Sequence, residues 1–352
     1  MNLATKKTFV IFSVVVMAGS CPTVAAAAEK YSESRPLFGT IVKIDACYEK
    51  QEEPKALTGI KKAWERLDEI QWRMNIYDER SDITKINNSN QKAVTIGADT
   101  YQLLKDSTFF TNLTKGAFDI TVYPFIQLWK KAEETNALPS KEDLEHAKSA
   151  VGSANIEFLD ENHVRLLNRE TAIDINGIAS GYGADEAARI LRENDLHDFL
   201  IDTGGELFAS GRNCKEESWR IGVSDPRLPA GEAGKPTELI DVIELNDMGV
   251  STSGNYEKYY EIQGQRWSHI INPMTGYPQM EVTSATVIAP TATQADVLST
   301  ALCVLGAEKG IALIESLGSH FAALVFEQDG DDKLVTHQSA NYEQFRSKKQ
   351  LP

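Results

Sequence analysis

Cysteine, basic charge and long apolar runs are all scarce in this chain of 352 residues. Of its four cysteines, Cys21 lies in a leader-like segment, and the other three, Cys47, Cys214 and Cys303, form an odd and widely spaced set. That spacing predicts neither a disulfide framework nor a zinc site. We expect Cys303, which lies within an apolar run, to be a small core residue.

The shortage of basic residues makes the chain acidic. It has 36 Lys and Arg against 51 Asp and Glu, a formal net charge of −15. This charge disfavours general binding to nucleic acid or anionic lipid, whose phosphates attract basic surfaces. If the protein binds a polyanion, a metal ion or local backbone dipoles must offset the repulsion.

The apolar run near the N-terminus, Phe9–Ala18, is too short for a membrane span. It follows two lysines and precedes an Ala-Ala-Ala stretch that ends at Ala28, the arrangement of a secretory signal peptide. We therefore predict a signal peptide over residues 1–28 and an exported, periplasmic protein. Cys21 leaves a second option open, a lipoprotein leader cut before this cysteine and a lipid anchor in a membrane.

No internal repeat or low-complexity linker divides the rest of the chain. This predicts one domain over residues 29–345, with an α+β fold. The C-terminal tail is polar from Asn341 onward, and we expect it to be loose over residues 346–352.

Local patterns place the main elements. Alternation predicts a half-buried strand over Leu37–Cys47, and helical spacing predicts a helix over Ala56–Trp72. The polar stretch Trp72–Asn90 is typical of a loop or short turns. The segment Phe199–Gly211 predicts two strands around the glycine pair Gly204-Gly205.

The segment Thr171–Leu191 has the order strand, glycine turn and helix. We predict the short strand over Ala172–Ile175 and an amphipathic helix after the glycines. Glycines allow a ligand to approach the backbone, and a helix N-terminus offers free N–H groups to a phosphate. The segment matches neither G-x-G-x-x-G nor the Walker A pattern, so it does not indicate a Rossmann or P-loop fold. A tight structural turn is the alternative.

The stretch Pro290–Gly306 predicts a mostly apolar helix interrupted by two oxygen-bearing residues, Asp296 and Thr300. Four residues apart, they share one helix face. A hard cation such as Mg²⁺ accounts for both, because it prefers oxygen ligands and often shares them with substrate phosphates. Alternatively, Asp296 complements the helix dipole and Thr300 bonds back to a backbone carbonyl.

One of the six histidines, His269, has a distinctive setting. It lies in a predicted strand, Gln265–Ile271, that leads into the glycine turn around Gly276, whereas the others lie in charged or loop-like sequence. Loop positions at strand ends often carry site residues. A structural role for a lone strand histidine is the alternative.

Taken in order, these segments resemble one family, the ApbE-type flavin transferases, which are FAD:protein FMN transferases. The resemblance covers Leu37 to about Phe326, through LFGTIVKI, MNIYDERSDITKIN, GAFDIT, DINGIASGYGAD, DTGGELFASG, STSGNYEKYY, SHIINPMTGYP and APTATQADVLSTALCVLG. It implies an ApbE/T-fold-like α+β domain of mixed, largely antiparallel sheets with flanking helices and an active site in a cleft between two lobes.

The resemblance also implies a reaction and a metal. The FMN moiety of FAD is moved to a Thr or Ser hydroxyl of an acceptor protein, with release of AMP. Mg²⁺ is held by Asp296, Thr300 and the carbonyl of Ala179, which favours the cation reading of the helix pair. Charge neutralisation at the pyrophosphate suits this chemistry. Expected acceptors are exported subunits of redox-driven membrane complexes.

By the same resemblance, a set of residues lines the FAD pocket, and one of them, His269, acts as general base or contacts the pyrophosphate. The set is Phe38, Tyr77, Ala117, Phe118, Asp119, Asn176, Tyr182 and His269. Asp202 and Gly204-Gly205 are expected to shape the wall beside the acceptor.

Three positions depart from the family pattern. Phe38 replaces a frequent Met, which keeps an apolar flavin contact but changes its shape. Ser180 replaces a Lys or an acidic residue, which puts a direct charged contact in doubt. Asn272 stands where Asp is common before Pro, and we expect the turn to be preserved.

Two rival functions remain open at this point. A Mg²⁺-dependent FAD pyrophosphatase would use the same site, with water in place of the acceptor hydroxyl. A non-catalytic exported flavin-binding protein would have no need of the metal pair or of His269.

Overall fold

A computed structural model describes residues 28–227, 238–255, 258–329 and 333–349. The predicted signal peptide, Cys21 included, lies outside the described residues except for Ala28. Within the described ranges, none of the helices has both the length and the apolar character needed to cross a membrane.

The described chain contains fifteen strands and eight α-helices. The strands are β1 Glu29–Leu37, β2 Thr40–Tyr48, β3 Val94–Thr95, β4 Ile156–Phe158, β5 His163–Leu166, β6 Asp198–Asp202, β7 Glu206–Ser210, β8 Trp219–Ser224, β9 Leu239–Leu245, β10 Met248–Gly254, β11 Tyr259–Ile262, β12 Gln265–Ser268, β13 Val282–Ala289, β14 Ala322–Asp329 and β15 Lys333–Gln338. The helices are α1 Glu53–Met74, α2 Asp82–Asn87, α3 Ala98–Leu113, α4 Tyr123–Thr135, α5 Lys141–Lys148, α6 Asn176–Glu193, α7 Ala292–Leu305 and α8 Ala307–Ser316.

The centre of the fold is an eight-stranded sheet with the order β1-β2-β6-β7-β10-β13-β14-β15, in which every neighbouring pair is antiparallel. Helices α1, α6, α7 and α8 cover one face through two apolar clusters. The hairpin β8–β9 covers part of the other face. We call the sheet with these helices the inner part.

Helices α2 to α5, the small sheet β3-β5-β4 and the hairpin β11–β12 form an outer part. Its apolar residues pack on the ends of α1, α6 and α7 that lie nearest, through residues such as Met74, Ala179 and Ala301. A second cluster, around Phe125 and Trp129, joins α4 to the hairpin β11–β12. The predicted α+β class with antiparallel sheets and flanking helices is confirmed.

The predicted strand Leu37–Cys47 is in fact the end of one strand, a turn and a second strand. Phe38 and Gly39 have φ angles of 53° and 73°, which bend the chain between β1 and β2. Phe38 is not a glycine, so this backbone is costly. The Phe38 N–H donates to the side-chain oxygen of Gln71 on α1 at 2.5 Å, which helps to hold the turn. The turn could not be seen in the sequence, because the alternation of apolar residues continues through the turn.

Two further local predictions were wrong. The polar stretch Trp72–Asn90 contains α2, whose first turn is capped by Ser81 through the Thr84 N–H at 3.1 Å. The segment Ala172–Ile175 has no regular secondary structure. Its backbone at Ile173 exchanges two hydrogen bonds with the side chain of Asn87, so side-chain groups replace a neighbouring strand.

The expectation that the cysteines form no disulfide was wrong. Cys47 at the end of β2 and Cys214 in the loop after β7 are bonded, although 167 residues separate them. The two cysteines lie close together because β2, β6 and β7 are neighbours in the sheet. Cys303 is buried in an apolar cluster, as predicted, and forms no disulfide within the described residues.

The prediction of a loose tail was wrong for its described part. Tyr342 is fully buried against the sheet face under β8–β9. The backbone of Arg346 forms a bridge with Ile243, and the Ser347 N–H donates to the Val242 carbonyl at 2.7 Å. The tail therefore extends the β8–β9 pair, and its polar composition concealed this because backbone groups make the contacts. Residues 350–352 lie outside the described residues.

Candidate active site

The α6–α7 seam, defined here as the contact line between these two antiparallel helices, carries the predicted metal residues. Three contacts step along it by four residues in each helix. Gly177 faces Thr300, Gly181 faces Asp296, and Asp185 faces Ala292. The two helices therefore keep a fixed register, and the predicted ligands Asp296 and Thr300 both face the first turns of α6.

Small residues are required on this seam because the backbones approach closely. A Cβ atom on Gly181 would lie 2.6 Å from the Ala292 carbonyl oxygen and 2.9 Å from the Asp296 Cβ. A Cβ atom on Gly249 of β10 would lie 2.4 Å from the Ala292 nitrogen. The first turn of α7 is thus held between a glycine of α6 and a glycine of the central sheet.

The carboxylate of Asp296 is buried on the seam, with 3% of the residue exposed. Its Oδ2 accepts a hydrogen bond of 3.1 Å from the Gly181 N–H. Burial and, to a smaller extent, the neighbouring carboxylate of Asp185 raise its pKa to about 7, although the Gly181 hydrogen bond acts in the opposite direction. A buried carboxylate with so little stabilisation of its charge fits a cation, which would restore the ionised form.

The donor set suits a hard cation. Thr300 offers a hydroxyl one turn from Asp296, and its Oγ1 lies 3.3 Å from the Ser253 Oγ of β10. Ala179, two residues before Gly181, is 7% exposed and offers a carbonyl. Oxygen donors with one carboxylate are typical of Mg²⁺ sites that share the ion with substrate phosphates. Among the described residues, no group of three His, Cys, Asp or Glu is placed to bind a metal.

The loop before α4, with Ala117, Phe118 and Asp119, reaches the same end of α6. A Cβ atom on Gly177 would lie 3.3 Å from the Phe118 ring, so this ring borders the Gly177–Thr300 contact. Asp119 is buried, and its carboxylate accepts hydrogen bonds from Thr121 and from the Ser153 N–H. Burial raises its pKa. The Asp119 side chain thus fixes the shape of the loop.

Asn176 is exposed at the start of α6 and is held by Asp174. The Asp174 carboxylate accepts bonds from the Asn176 backbone N–H at 2.8 Å and from its side-chain amide at 3.2 Å. Asp174 is itself buried, which raises its pKa, while the nearby cations of Lys130 and Lys258 act in the opposite direction. The sequence did not single out Asp174, although it is the first residue of the matching D-I-N-G.

His269 lies directly after β12 and is half-buried. Its Nδ1 is 2.8 Å from the Lys258 carbonyl oxygen, which can only accept, so Nδ1 carries the proton and Nε2 holds the free lone pair. Burial lowers the pKa of His269, and the Lys258 charge lowers it too, whereas the carbonyl bond raises it. A neutral imidazole with an available Nε2 is suited to accept a proton near pH 7.

The turn over residues 269–280 also touches the Phe118 loop. A Cβ atom on Gly116 would lie 3.6 Å from the Met274 side chain, and the Trp129 indole donates to the Gly276 carbonyl at 2.8 Å. The described contacts do not join His269 directly to Asp296 or Thr300. The structure therefore brings Phe118 and Thr300 together at Gly177, places Asp296 against Gly181 one turn further along α6, and places the His269 turn beside the Phe118 loop.

The described contacts of three further predicted FAD residues do not include Asp296 or Thr300. Phe38 packs its ring on Gly183 of α6, where a Cβ atom would lie 3.0 Å from it. Tyr182 donates its hydroxyl to Asp99 at 3.1 Å, and burial raises its pKa. Tyr77 is 78% exposed, so its ring offers an open face to a flat ligand.

The glycine pair after β6 is joined to α6 through its neighbours. Asp202 accepts hydrogen bonds from the N–H groups of Gly204 and Gly205 at 2.9 and 3.0 Å, which fixes their positive φ angles. The Thr203 hydroxyl donates to the Ser180 carbonyl at 3.0 Å. Ser180 therefore contributes its backbone to this contact.

Comparison with known proteins identifies the family. A family model described as the ApbE family matches residues 38–325. The chain belongs to the ApbE family of flavin transferases.

Relatives within the ApbE family share moderate identity with the chain. The FAD:protein FMN transferase of Haemophilus influenzae is 32% identical over 71% of this chain and 73% of its own length. That of Treponema pallidum is 28% identical over 90% of each chain. The crystal structure of the ApbE protein of Thermotoga maritima is 32% identical, with a TM-score of 0.79 over 91% of this chain and all of its own. The flavin transferase ApbE of Vibrio cholerae has a TM-score of 0.76 at 26% identity, over 90% of this chain and 99% of its own.

Besides Asp174, two residues of the site were missed from the sequence. Ser253 lies beside Thr300, and the only sequence signal was the small polar run that matches the ApbE family. Asp185 ends the matching segment of α6, and its carboxylate contacts the first turn of α7. Its partner is 107 residues away, so local spacing did not indicate the contact.

Proposed function

We propose that this chain is a Mg²⁺-dependent FAD:protein FMN transferase that moves FMN from FAD to a Thr or Ser hydroxyl and releases AMP. The observation that carries the proposal is the Asp296 carboxylate, buried on the seam beside the Thr300 hydroxyl. The relatives in Haemophilus influenzae and Treponema pallidum bear the name of this activity.

In this proposal Asp296, Thr300 and the Ala179 carbonyl hold Mg²⁺. When bound, the ion neutralises charge on the pyrophosphate and stabilises the AMP leaving group. The exposed ring of Tyr77 and the Phe118 loop bind the flat parts of FAD, and Phe38 and Tyr182 extend the pocket. Asp174 orients Asn176 at the start of α6 through its two hydrogen bonds, so that the Asn176 side chain can contact FAD.

The transfer step needs a base. The acceptor hydroxyl oxygen attacks the phosphorus of the FMN moiety, the bond from that phosphorus to the oxygen of AMP breaks, and the hydroxyl proton moves to Nε2 of His269. The Lys258 carbonyl supports this role because it keeps the proton of the neutral imidazole on Nδ1. AMP leaves with the electron pair of the broken bond.

The test incubates the chain with FAD, Mg²⁺ and a candidate acceptor domain, such as an exported subunit of a redox-driven membrane complex. Mass spectrometry should detect covalent FMN on a Thr or Ser of the acceptor, and a chelator should abolish it. Labelling that a chelator leaves undiminished would contradict the proposal.

FAD pyrophosphatase activity is a second candidate. His269 is only half-buried, so water has access to the position of the acceptor hydroxyl. Formation of FMN and AMP at a rate that the acceptor domain does not change would favour this function over transfer.

We propose export for the mature chain. The leader pattern over residues 1–28 supports it, and so does the disulfide between Cys47 and Cys214, since such bonds persist in oxidising compartments. The N-terminal mass of the protein purified from a periplasmic fraction tests it. A start at Glu29 indicates a signal peptide, and a lipid-modified Cys21 indicates a membrane anchor.

A further inference from the structure

The third contact of the α6–α7 seam has no assigned role, and it is the most strongly bonded of the three. The Asp185 carboxylate accepts hydrogen bonds from the Ala292 N–H at 2.8 Å, the Thr293 N–H at 2.9 Å and the Thr293 hydroxyl at 2.5 Å. The two N–H groups belong to the first turn of α7, where they have no partner within the helix. A carboxylate at a helix N-terminus is also stabilised by the helix dipole.

This contact is not needed simply to cap α7. Thr291 is already the capping residue of the helix, and its side chain accepts from the Gln294 N–H at 3.1 Å. Asp185 differs from Thr291 in coming from another helix. It therefore bonds α7 to α6, and the Thr291 side chain, which also hydrogen-bonds the Asp185 carboxylate, takes part in the same contact.

The register that Asp185 fixes decides the position of the metal residues. One turn from Asp185 along α6, Gly181 meets Asp296, and one turn further Gly177 meets Thr300. The Ala179 carbonyl comes from α6, whereas Asp296 and Thr300 come from α7. A cation site assembled from two helices requires their relative position to be correct to within a fraction of an ångström.

We propose that Asp185 is a positioning residue for the cation site, which sets the register of α7 on α6 and so brings the Asp296 carboxylate to the Ala179 carbonyl. This inference rests on the proposed function. Groups that orient metal ligands typically contribute about 10- to 100-fold to metal affinity.

The experiment titrates Mg²⁺ against the full chain with FAD present and follows the thermal unfolding temperature. Asp185→Asn keeps the size of the side chain but turns an acceptor into an amide that cannot satisfy two N–H groups and a hydroxyl. We expect about a 10-fold rise in the Mg²⁺ concentration for half-maximal stabilisation.

Ser140→Ala is the matched control, since it removes the side-chain cap of α5, a helix outside the seam. We expect it to lower the unfolding temperature without Mg²⁺, as Asp185→Asn does, but to change the Mg²⁺ midpoint less than about 2-fold. If both variants change the midpoint equally, or if neither changes it, Asp185 is a cap and the inference is overturned.

Thr293→Val provides a second variant in case Asp185→Asn does not fold. It removes one of the three hydrogen bonds to Asp185 and preserves the shape of the side chain, so a smaller rise in the midpoint is expected, in the range of about 2- to 3-fold. An unchanged midpoint in this variant also overturns the inference. A wild-type chain that shows no response to Mg²⁺ overturns the proposed metal as well, which distinguishes the two failures.

Discussion

The α6–α7 seam and the His269 turn are both parts of the proposed active site, but they hold their polar groups differently. On the seam, Asp296 is 3% exposed and is contacted by backbone across two tightly packed helices. On the turn, Met274, Tyr277 and Met280 are each more than 40% exposed, and backbone hydrogen bonds such as Gly276 N–H to the Asn272 carbonyl at 2.8 Å maintain its shape.

This difference indicates that the two regions have different roles in the reaction. A buried carboxylate on rigid helices can keep its geometry while substrates come and go, as a cation site requires. A surface turn can meet both a cofactor and a protein, because its side chains are free to adapt. We therefore expect substitutions on the seam to affect metal dependence and those on the turn to affect transfer alone.

Asp296→Asn is expected to have the largest effect of the substitutions that test this difference between the seam and the turn. We expect transfer of FMN to fall by about 10³-fold or more, a loss of roughly 4 kcal/mol of transition-state stabilisation. The stability of the chain without Mg²⁺ should not fall, since a buried charge beside Asp185 is removed. Mass-spectrometric labelling rates and thermal unfolding measure both quantities.

The control for this substitution is Asp247→Asn, which removes an exposed carboxylate paired with Arg192 and should leave transfer unchanged. Retention of more than about a tenth of the wild-type transfer rate by Asp296→Asn would show that the seam does not carry the reaction.

His269→Gln tests the turn. We expect transfer to fall by about 10²- to 10³-fold, because the group that accepts the hydroxyl proton is lost. The Mg²⁺ midpoint in thermal unfolding should stay at the wild-type value, since no described contact joins His269 to Asp296 or Thr300. His337→Gln, on the edge strand β15, is the matched control. A shifted Mg²⁺ midpoint would mean that the turn and the seam act as one unit.

Removal of the disulfide tests whether a loss of stability far from the seam and the turn leaves the transfer reaction unchanged. Cys47 and Cys214 lie near Glu29, at the opposite end of β1 from the Phe38 turn. We expect Cys47→Ser with Cys214→Ser to lower the free energy of unfolding by about 2–5 kcal/mol without altering the transfer rate of the folded chain. Denaturant unfolding with and without a reductant measures the loss, and only the wild type should respond to the reductant.

The smallest expected effect concerns pH. Arg66 forms a two-bond contact with Asp99 at 2.5 and 2.8 Å and holds the pKa of Asp99 below its ordinary value. A lowered folded pKa gives stability that is present above the unfolded pKa and is lost as pH falls through the folded one. Asp99→Asn should therefore flatten the loss of stability between neutral and strongly acidic pH, by about 1 kcal/mol or less for this partly exposed pair.

Tyr182→Phe separates the two contacts of Asp99. It removes only the hydroxyl group that donates a hydrogen bond to the Asp99 carboxylate, and it keeps the contact with Arg66. Because the Tyr182 hydroxyl lowers the pKa of Asp99 less than Arg66 does, this variant should flatten the slope of stability against pH less than Asp99→Asn does. Equal slopes for Asp99→Asn and the wild type would show that the Arg66 contact contributes nothing measurable.

Sequence reasoning found the parts of the site that depend on local geometry. Asp296 and Thr300 share a helix face because four residues make about one turn, and the structure places both on the seam. The stretch Pro290–Gly306 also predicted the helix itself, which begins at Ala292 after the capping residue Thr291. The family resemblance supplied Ala179 and the Phe118 loop, which periodicity alone does not indicate.

The residues that sequence reasoning missed depend on partners far along the chain. Ser253 meets Thr300 across 47 residues, Asp185 meets Ala292 across 107 residues, and Cys47 meets Cys214 across 167 residues. Such pairs are set by the order of strands in the sheet and by the register of packed helices. Neither the strand order nor the helix register can be inferred from a local sequence pattern.

By itself, the sequence determined the helix that carries Asp296, its capped start and its apolar character, because these follow from the rotation per residue and from neighbouring side chains. Only the tertiary structure decided that this helix lies on Gly181 and Gly249, that Asp185 bonds its first turn, and that two distant cysteines meet. The physical reason is that close approach and burial belong to pairs of segments, so they exist only once the sheet has brought those segments together.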